Sequence, residues 1–329
     1  MKVLIASPQL ARRMKDNKDL FTKHIEILSP EKGTDEELVV LAEDAEIIVC
    51  TRLSEQVVKH APQLKLIQKT GAGVDAIPFN VIPENVFVAN TSGANPVPLA
   101  EGTIAMMFAL AKHLIQRNHA FPERYNKAGT ELREKKVGII GLGSIGKEIA
   151  KRLRAFEMEI LAIKRTPSEN LKRELDLSFL GGPEDVDEVV SESDFIILTI
   201  ATTPKTIGII GKKQIDLMKP TAYIINVGRA ALIEEAPLYH ALKEGKIAGA
   251  GLDVWWIPHW WDSTWNPEIN QPARYPFWEL NNVIASPHNV GAVERNQYSD
   301  NAIDIIIKNI NRIAEGKPPI NQVDKVHQY

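Results

Sequence analysis

Short apolar runs alternate along the chain with longer stretches of mixed polarity, as strands and helices laid in turn would do. Val3-Leu4-Ile5-Ala6, Ile25-Glu26-Ile27-Leu28, Ile47-Ile48-Val49-Cys50, Leu64-Lys65-Leu66-Ile67 and Val86-Phe87-Val88-Ala89 predict strands, with helices over Asp35 to Asp44 and Ser54 to His60. That alternation argues for a parallel sheet covered by helices. Thr91-Ser92-Gly93-Ala94-Asn95-Pro96-Val97-Pro98 is rich in turn formers and predicts a hinge-like connector. A long apolar helix is predicted from about Leu99 to Ile115. Further strands follow at Val137 to Ile140, Glu159 to Ile163, Phe195 to Ile200, Tyr223 to Val227, Ile247 to Asp253 and Val283 to Ala285. The last helix, Val293 to Ala314, is amphipathic and stops near Gly316, with Pro318 and Pro319 beyond.

One junction in this pattern carries chemistry. Val137-Gly138-Ile139-Ile140 runs into Gly141-Leu142-Gly143-Ser144-Ile145-Gly146, and Ile145, Ile149 and Leu153 then recur at helical spacing. Strand, glycine-spaced turn, helix and second strand form the dinucleotide-binding arrangement. The first glycine permits the turn, the second lets backbone approach a pyrophosphate, and the third lets helix and strand pack closely. The N–H groups at the helix start, from Ser144 and Ile145 onward, face the phosphates. An acidic residue at the end of the second strand would bind the ribose hydroxyls of NAD. Here the strand ends Ile163-Lys164-Arg165-Thr166. Two cations attract a 2′-phosphate where a carboxylate would repel it, so NADP is the expected cofactor, with NAD as the alternative. Two basic residues that merely solvate a strand end are the plainer reading.

Composition narrows the class. A chain of 329 residues has room for two domains. With 44% hydrophobic and 25% charged residues it is an ordinary globular protein. A net charge of −3 gives no reason to expect nucleic acid or an anionic membrane as partner. The single cysteine, Cys50, excludes an intramolecular disulfide and a cysteine-rich metal site, and its apolar surroundings mark it as a core residue. The chain opens on a strand rather than a secretory leader, and no apolar run is long enough to span a bilayer, so a cytoplasmic location is expected.

With the glycine turn placed, the remaining landmarks resemble the D-isomer-specific 2-hydroxyacid dehydrogenase family. Gly71-Ala72-Gly73-Val74-Asp75 resembles its substrate-carboxylate loop. Asn90 to Asn95 with Ala100-Glu101 resembles the segment that enters the nucleotide domain. Asn226-Val227-Gly228-Arg229 resembles the segment with its essential arginine, and Gly251-Leu252-Asp253-Val254 and Ser286-Pro287-His288 resemble two further signatures. The resemblance covers nearly the whole chain. It implies an α/β fold of two flavodoxin- or Rossmann-like domains with parallel sheets and an interdomain cleft. Residues 1–96 would form the substrate domain and 97–290 the dinucleotide-binding domain, with 291–329 a C-terminal helix returning to the substrate domain. It also implies a homodimer through the nucleotide domain, with the helix from Leu99 at the interface. The apolar content of that helix fits burial within one chain equally well.

Reduction of a 2-keto acid requires its carboxylate to be held, its carbonyl polarised and a proton delivered to the oxygen. Arg229, always charged and fork-shaped, suits the first two tasks. The backbone N–H groups of Ala72, Gly73 and Val74 suit the other carboxylate oxygen. His288, which titrates near neutrality in its free form, suits the proton. In isolation such an arginine is commonly a surface ion-pair partner and such a histidine a turn residue. Their places in an ordered motif set, each after a predicted strand end, favour catalysis. Asp253 is expected to order the cleft wall or the nicotinamide carboxamide.

One departure stands out. The family resemblance puts a glutamate shortly after Asp253, but Pro258 occupies that place. Asp262, Glu268 and His259 are candidate substitutes. All six tryptophans, Trp255, Trp256, Trp260, Trp261, Trp265 and Trp278, fall in one segment with Tyr275 and Phe277. They form either an aromatic wall that selects a bulky substrate or a packing insertion. The leading expectation is an NADPH-preferring 2-keto acid reductase of the glyoxylate and hydroxypyruvate reductase type. A nucleotide-sensing module without turnover and a formate- or phosphite-oxidising enzyme are the alternatives.

Overall fold

The computed structural model describes residues 1–123, 125–257, 271–292 and 300–328. The chain divides into two compact units, Met1–Asn95 with Glu294–Tyr329, and Pro96–Val293. In the first, β1 (Lys2–Ile5), β2 (Glu26–Leu28), β3 (Ile47–Cys50), β4 (Leu66–Lys69) and β5 (Phe87–Ala89) form a parallel sheet in the order β2-β1-β3-β4-β5. Alternate residues serve opposite faces: Leu4 and Ile48 join one apolar cluster, while Val3, Ile5, Ile47 and Val49 join another. The second cluster is closed by Leu10 and Met14 and by Ile303, Ile306 and Ile310 of the C-terminal helix Asp300–Ala314. The remainder of that predicted helix, from Val293, lies outside the described residues.

The helix Pro8–Asp16 does not stand out in the apolar pattern, because few of its positions are apolar. Its start signal is nevertheless present: the Ser7 side chain accepts from the N–H of Leu10, and Pro8 sits in the first turn, where its missing N–H costs nothing.

The second unit holds β6 (Lys136–Ile140), β7 (Glu159–Ile163), β8 (Phe179–Gly181), β9 (Phe195–Leu198), β10 (Tyr223–Asn226), β11 (Gly249–Leu252) and β12 (Val283–Ala285). They run parallel in the order β12-β11-β10-β9-β6-β7-β8. The short edge strand β8 escapes the apolar pattern. The strand order reverses at β6, between β7 and β9, which puts the ligand crevice of such a sheet at the carboxyl ends of the strands. Several strands stop short of their predicted ends. Thr199, Val227 and Asp253 therefore begin loops at that edge.

The predicted helix Leu99 to Ile115 is two helices, Pro96–Ala111 and Leu114–His119. His113 has a left-handed φ of 53°, and its N–H bonds to the oxygen of Leu110, which ends the regular ladder. The first helix buries Ala100, Ile104, Met106, Met107 and Leu110 against its own unit, while Val97 in its first turn is exposed. Among the described residues, no helix is long and apolar enough to cross a membrane.

Candidate active site

The glycine turn lies at the end of β6. The N–H groups of Gly141 and Leu142 both bond the oxygen of Ile163, tying the turn to the end of β7. Gly141 has φ 113°, and a Cβ there would lie 2.3 Å from Ile200 Cγ2 and 2.8 Å from the Ile200 nitrogen. At Gly146 a Cβ would lie 2.3 Å from the oxygen of Gly141. Gly143 differs: nothing lies within 4 Å of where its Cβ would be. The outer two glycines are thus demanded by contacts inside the fold, while the middle one faces open space. It precedes the exposed Ser144 and the partly buried Ile145 at the start of the helix Ser144–Leu153, which has no side-chain cap and no acidic residue in its first turn. A diphosphate fits this cradle: backbone donors are exposed, no Cβ intrudes and no carboxylate repels it.

At the end of β7, Lys164 is partly buried, while Arg165 and Thr166 are exposed. Desolvation holds the Lys164 ammonium below the ordinary lysine pKa, and the charges of Lys147 and Arg165 lower it further. Lys147, from the first helical turn, is thereby a third cation at this corner. Its separation from Lys164 along the chain hides it, although it directly follows Gly146.

Arg229, Asp253 and His288 follow three adjacent strands, β10, β11 and β12. Asn226 pins the arginine segment: its Nδ2 donates to the oxygen of Arg229 at 2.9 Å and its Oδ1 accepts from the N–H of Gly228 at 3.1 Å. Gly228 is needed because a Cβ would lie 2.9 Å from the oxygen of Ile200. The guanidinium donates to the oxygen of Gly228 at 2.9 Å. Asp253 sits between the other two, only 2% exposed, with its N–H bonded to the oxygen of Asn226. Its Oδ1 accepts from Ser286 Oγ at 2.5 Å and from the N–H groups of Asn289 and Val290 at 2.9 and 3.1 Å. His288 has φ 56°, a left-handed conformation that costs a non-glycine residue about 1–3 kcal/mol and persists only where its surroundings impose it. Its Nδ1 lies 3.2 Å from the backbone oxygen of Asp253 and 4.0 Å from the Asp253 carboxylate. A carbonyl accepts only, so the contact with Asp253 is a hydrogen bond in the tautomer that carries the proton on Nδ1. Asn226, Ser286 and Lys147 are the residues a reading of sequence leaves without a role.

Ala72, Gly73 and Val74 belong to the first unit, in the loop after β4. Asn90 braces that loop by donating to the oxygen of Ala72 at 2.9 Å, and the N–H of Thr91 bonds the oxygen of Gly71. Among the described residues no acceptor takes the N–H groups of Ala72, Gly73 or Val74.

The described aromatics of the tryptophan-rich segment pack. Trp255 is 9% exposed and donates from its indole to the oxygen of Ser286 at 2.9 Å. Trp256 stacks on the fully buried Phe277 and donates to the oxygen of Ile233, and Tyr275 stacks on Tyr239. Trp278 is 38% exposed. Pro258, His259, Trp260, Trp261, Asp262, Trp265 and Glu268 lie outside the described residues.

Comparison with known proteins places this chemistry among relatives. The family model described as D-isomer specific 2-hydroxyacid dehydrogenase, NAD binding domain, matches residues 104–290. The chain is 35% identical to the D-3-phosphoglycerate dehydrogenase of Methanocaldococcus jannaschii over 88% of its own length, and it spans about half of that relative, 54%. It is 31% identical to the glyoxylate reductase of Thermococcus litoralis over 84% of this chain and 82% of that one. Among solved structures it is similar to a D-isomer specific 2-hydroxyacid dehydrogenase from Lactobacillus delbrueckii ssp. bulgaricus in its NAD-complexed form. The identity there is 25% and the TM-score 0.78, over 98% of this chain and 100% of the other.

Proposed function

The chain belongs to the D-isomer-specific 2-hydroxyacid dehydrogenase family, and on that premise we propose that it reduces a small 2-keto acid to the D-2-hydroxy acid with NADPH preferred over NADH. The observation that carries this reading is the alignment of the glycine turn, Lys164, Arg229, Asp253 and His288 along one carboxyl edge of a single parallel sheet. The bound nicotinamide supplies the hydride. Arg229 holds the substrate carboxylate and polarises the carbonyl, since its fork of donors matches planar oxygens. The imidazolium of His288, with Nδ1 committed to the oxygen of Asp253, gives up its Nε2 proton to the oxygen where charge develops.

Preference for the 2′-phosphate is supported by the three cations Lys147, Lys164 and Arg165 near the end of β7, where a carboxylate would serve NAD. The exposed apolar side chains of Leu114, Ile115 and Phe121, at 51%, 45% and 82%, support a homodimer formed through the second unit. Light scattering on the purified chain tests that state, and a monomeric mass sinks it. The activity is tested by mixing the full chain with NADPH or NADH and glyoxylate, hydroxypyruvate or larger branched 2-keto acids. Turnover faster with NADPH, with product of D configuration, is the expected result. Tight cofactor binding without turnover on any acid would instead make the chain a nucleotide sensor.

A further inference from the structure

We infer that Gly102 and Ser286 are positioning residues for His288, holding its loop from two sides; the inference rests on His288 being the proton donor proposed above. On one side the buried Asp253 carboxylate is the hub. A single oxygen, Oδ1, gathers the Ser286 hydroxyl and the N–H groups of Asn289 and Val290, so the residues on both sides of His288 are fixed to one point. The loop is anchored again where Trp255 donates to the oxygen of Ser286, and where the N–H of Ser286 bonds the oxygen of Leu252.

On the other side lies the helix Pro96–Ala111. A Cβ on Gly102 would fall 1.9 Å from the oxygen of Val290 and 2.7 Å from its carbonyl carbon. The loop backbone therefore rests directly on the helix, and any side chain at 102 must push it away. Gly291 repeats the device from the loop, where a Cβ would meet Leu99 Cδ1 at 2.8 Å and Leu99 Cα at 3.0 Å. Glycine inside a helix is disfavoured relative to alanine, so position 102 runs against local propensity in favour of this contact. Held on both sides, His288 is kept at φ 56° with Nδ1 3.2 Å from the oxygen of Asp253. Gly102 and Ser286 act through that backbone, not on the substrate.

The consequence is a separation of cofactor affinity from rate. A displacement of about 1 Å at a reacting group can cost on the order of 100-fold in rate. Gly102→Ala improves helix propensity yet shifts the loop. It should lower kcat at least about 10-fold and lower the melting temperature, since the Cβ meets backbone, while leaving NADPH affinity within about twofold. Ser286→Ala removes one donor from the hub and should lower kcat in the same sense, with Ser286→Thr, which keeps the hydroxyl, recovering most of it. A readout independent of turnover comes from 15N-labelled histidine. The His288 ring should report the Nδ1–H tautomer in the wild-type chain, and Gly102→Ala and Ser286→Ala should move it toward the mixture of a free imidazole.

Wild-type kcat and an unchanged His288 spectrum in both variants would overturn the inference. So would loss of kcat and of NADPH affinity in parallel with no recovery in Ser286→Thr. If the wild-type chain turns over no 2-keto acid, the functional reading fails, and the tautomer measurement alone decides whether Gly102 and Ser286 position the ring.

Discussion

Lys164 sits partly buried at the end of β7, with its ammonium pushed below the ordinary lysine value first by desolvation and then by Lys147 and Arg165. A bound 2′-phosphate rewards the charged form. NADPH affinity should therefore be complete at neutral pH and fall as pH rises through the lowered Lys164 pKa, earlier than an ordinary lysine would allow. NADH affinity should stay flat over the same range. Fluorescence titration of both cofactors between neutral and alkaline pH checks this, and Lys164→Arg should remove the decline because a guanidinium keeps its proton. Replacing Lys164 and Arg165 together by alanine should lower the NADPH-over-NADH preference in kcat/KM by roughly 10- to 100-fold, as expected for charged hydrogen bonds of about 1.5–3 kcal/mol. At Cys50, complete burial pushes the thiol up to about 12. The folded chain then binds a proton that the unfolded chain gives up near pH 9, so this group favours unfolding as pH rises from about 9 toward 12. Single residues of this kind were partly legible: Lys164 and Arg165 follow a strand in sequence, whereas Lys147 reaches the same corner only through a helical turn.

The glycine turn separates two meanings of one residue type at the scale of an element. Gly146→Ala drives a Cβ into the oxygen of Gly141, so folding of the turn and cofactor affinity should fall together. Gly143→Ala meets nothing within 4 Å, so the melting temperature should hold while the added methyl crowds the diphosphate and raises the NADPH Kd. Calorimetry paired with cofactor titration on the two variants tests the contrast, and equal loss of stability in both would contradict it. The spacing of these glycines was readable in the sequence because turn, approach and packing each demand glycine. Other elements were hidden for equally physical reasons. The three residues of β8 are too few to set a period, and His113 breaks a helix through a backbone angle that no apolar count reveals. The site edge itself was legible in outline, since Arg229 and His288 each follow a recognisable strand. The Asp253 hub was not, because its three donors converge only after β11 and β12 pair.

The whole chain closes its first unit with residues from both ends. Asn309 in the C-terminal helix donates to Gln68 Oε1 of β4 at 2.7 Å and accepts from the N–H of Ile320 at 2.7 Å, and both side chains are fully buried. Asn309→Leu leaves Gln68 Oε1 and the N–H of Ile320 without these bonds and should destabilise the first unit by about 1–3 kcal/mol for each unpaired group, with cofactor binding by the second unit preserved. Denaturant unfolding followed alongside NADPH titration separates the two effects. The measurement that bears most directly on function is single-turnover oxidation of bound NADPH by a 2-keto acid in the wild-type chain, Arg229→Ala and His288→Ala. Rapid oxidation in the wild-type chain is expected, with each variant binding NADPH normally but slowed by on the order of 100-fold or more. Oxidation at the wild-type rate in both variants would contradict the assignment of the two side chains at the carboxyl edge of the second sheet.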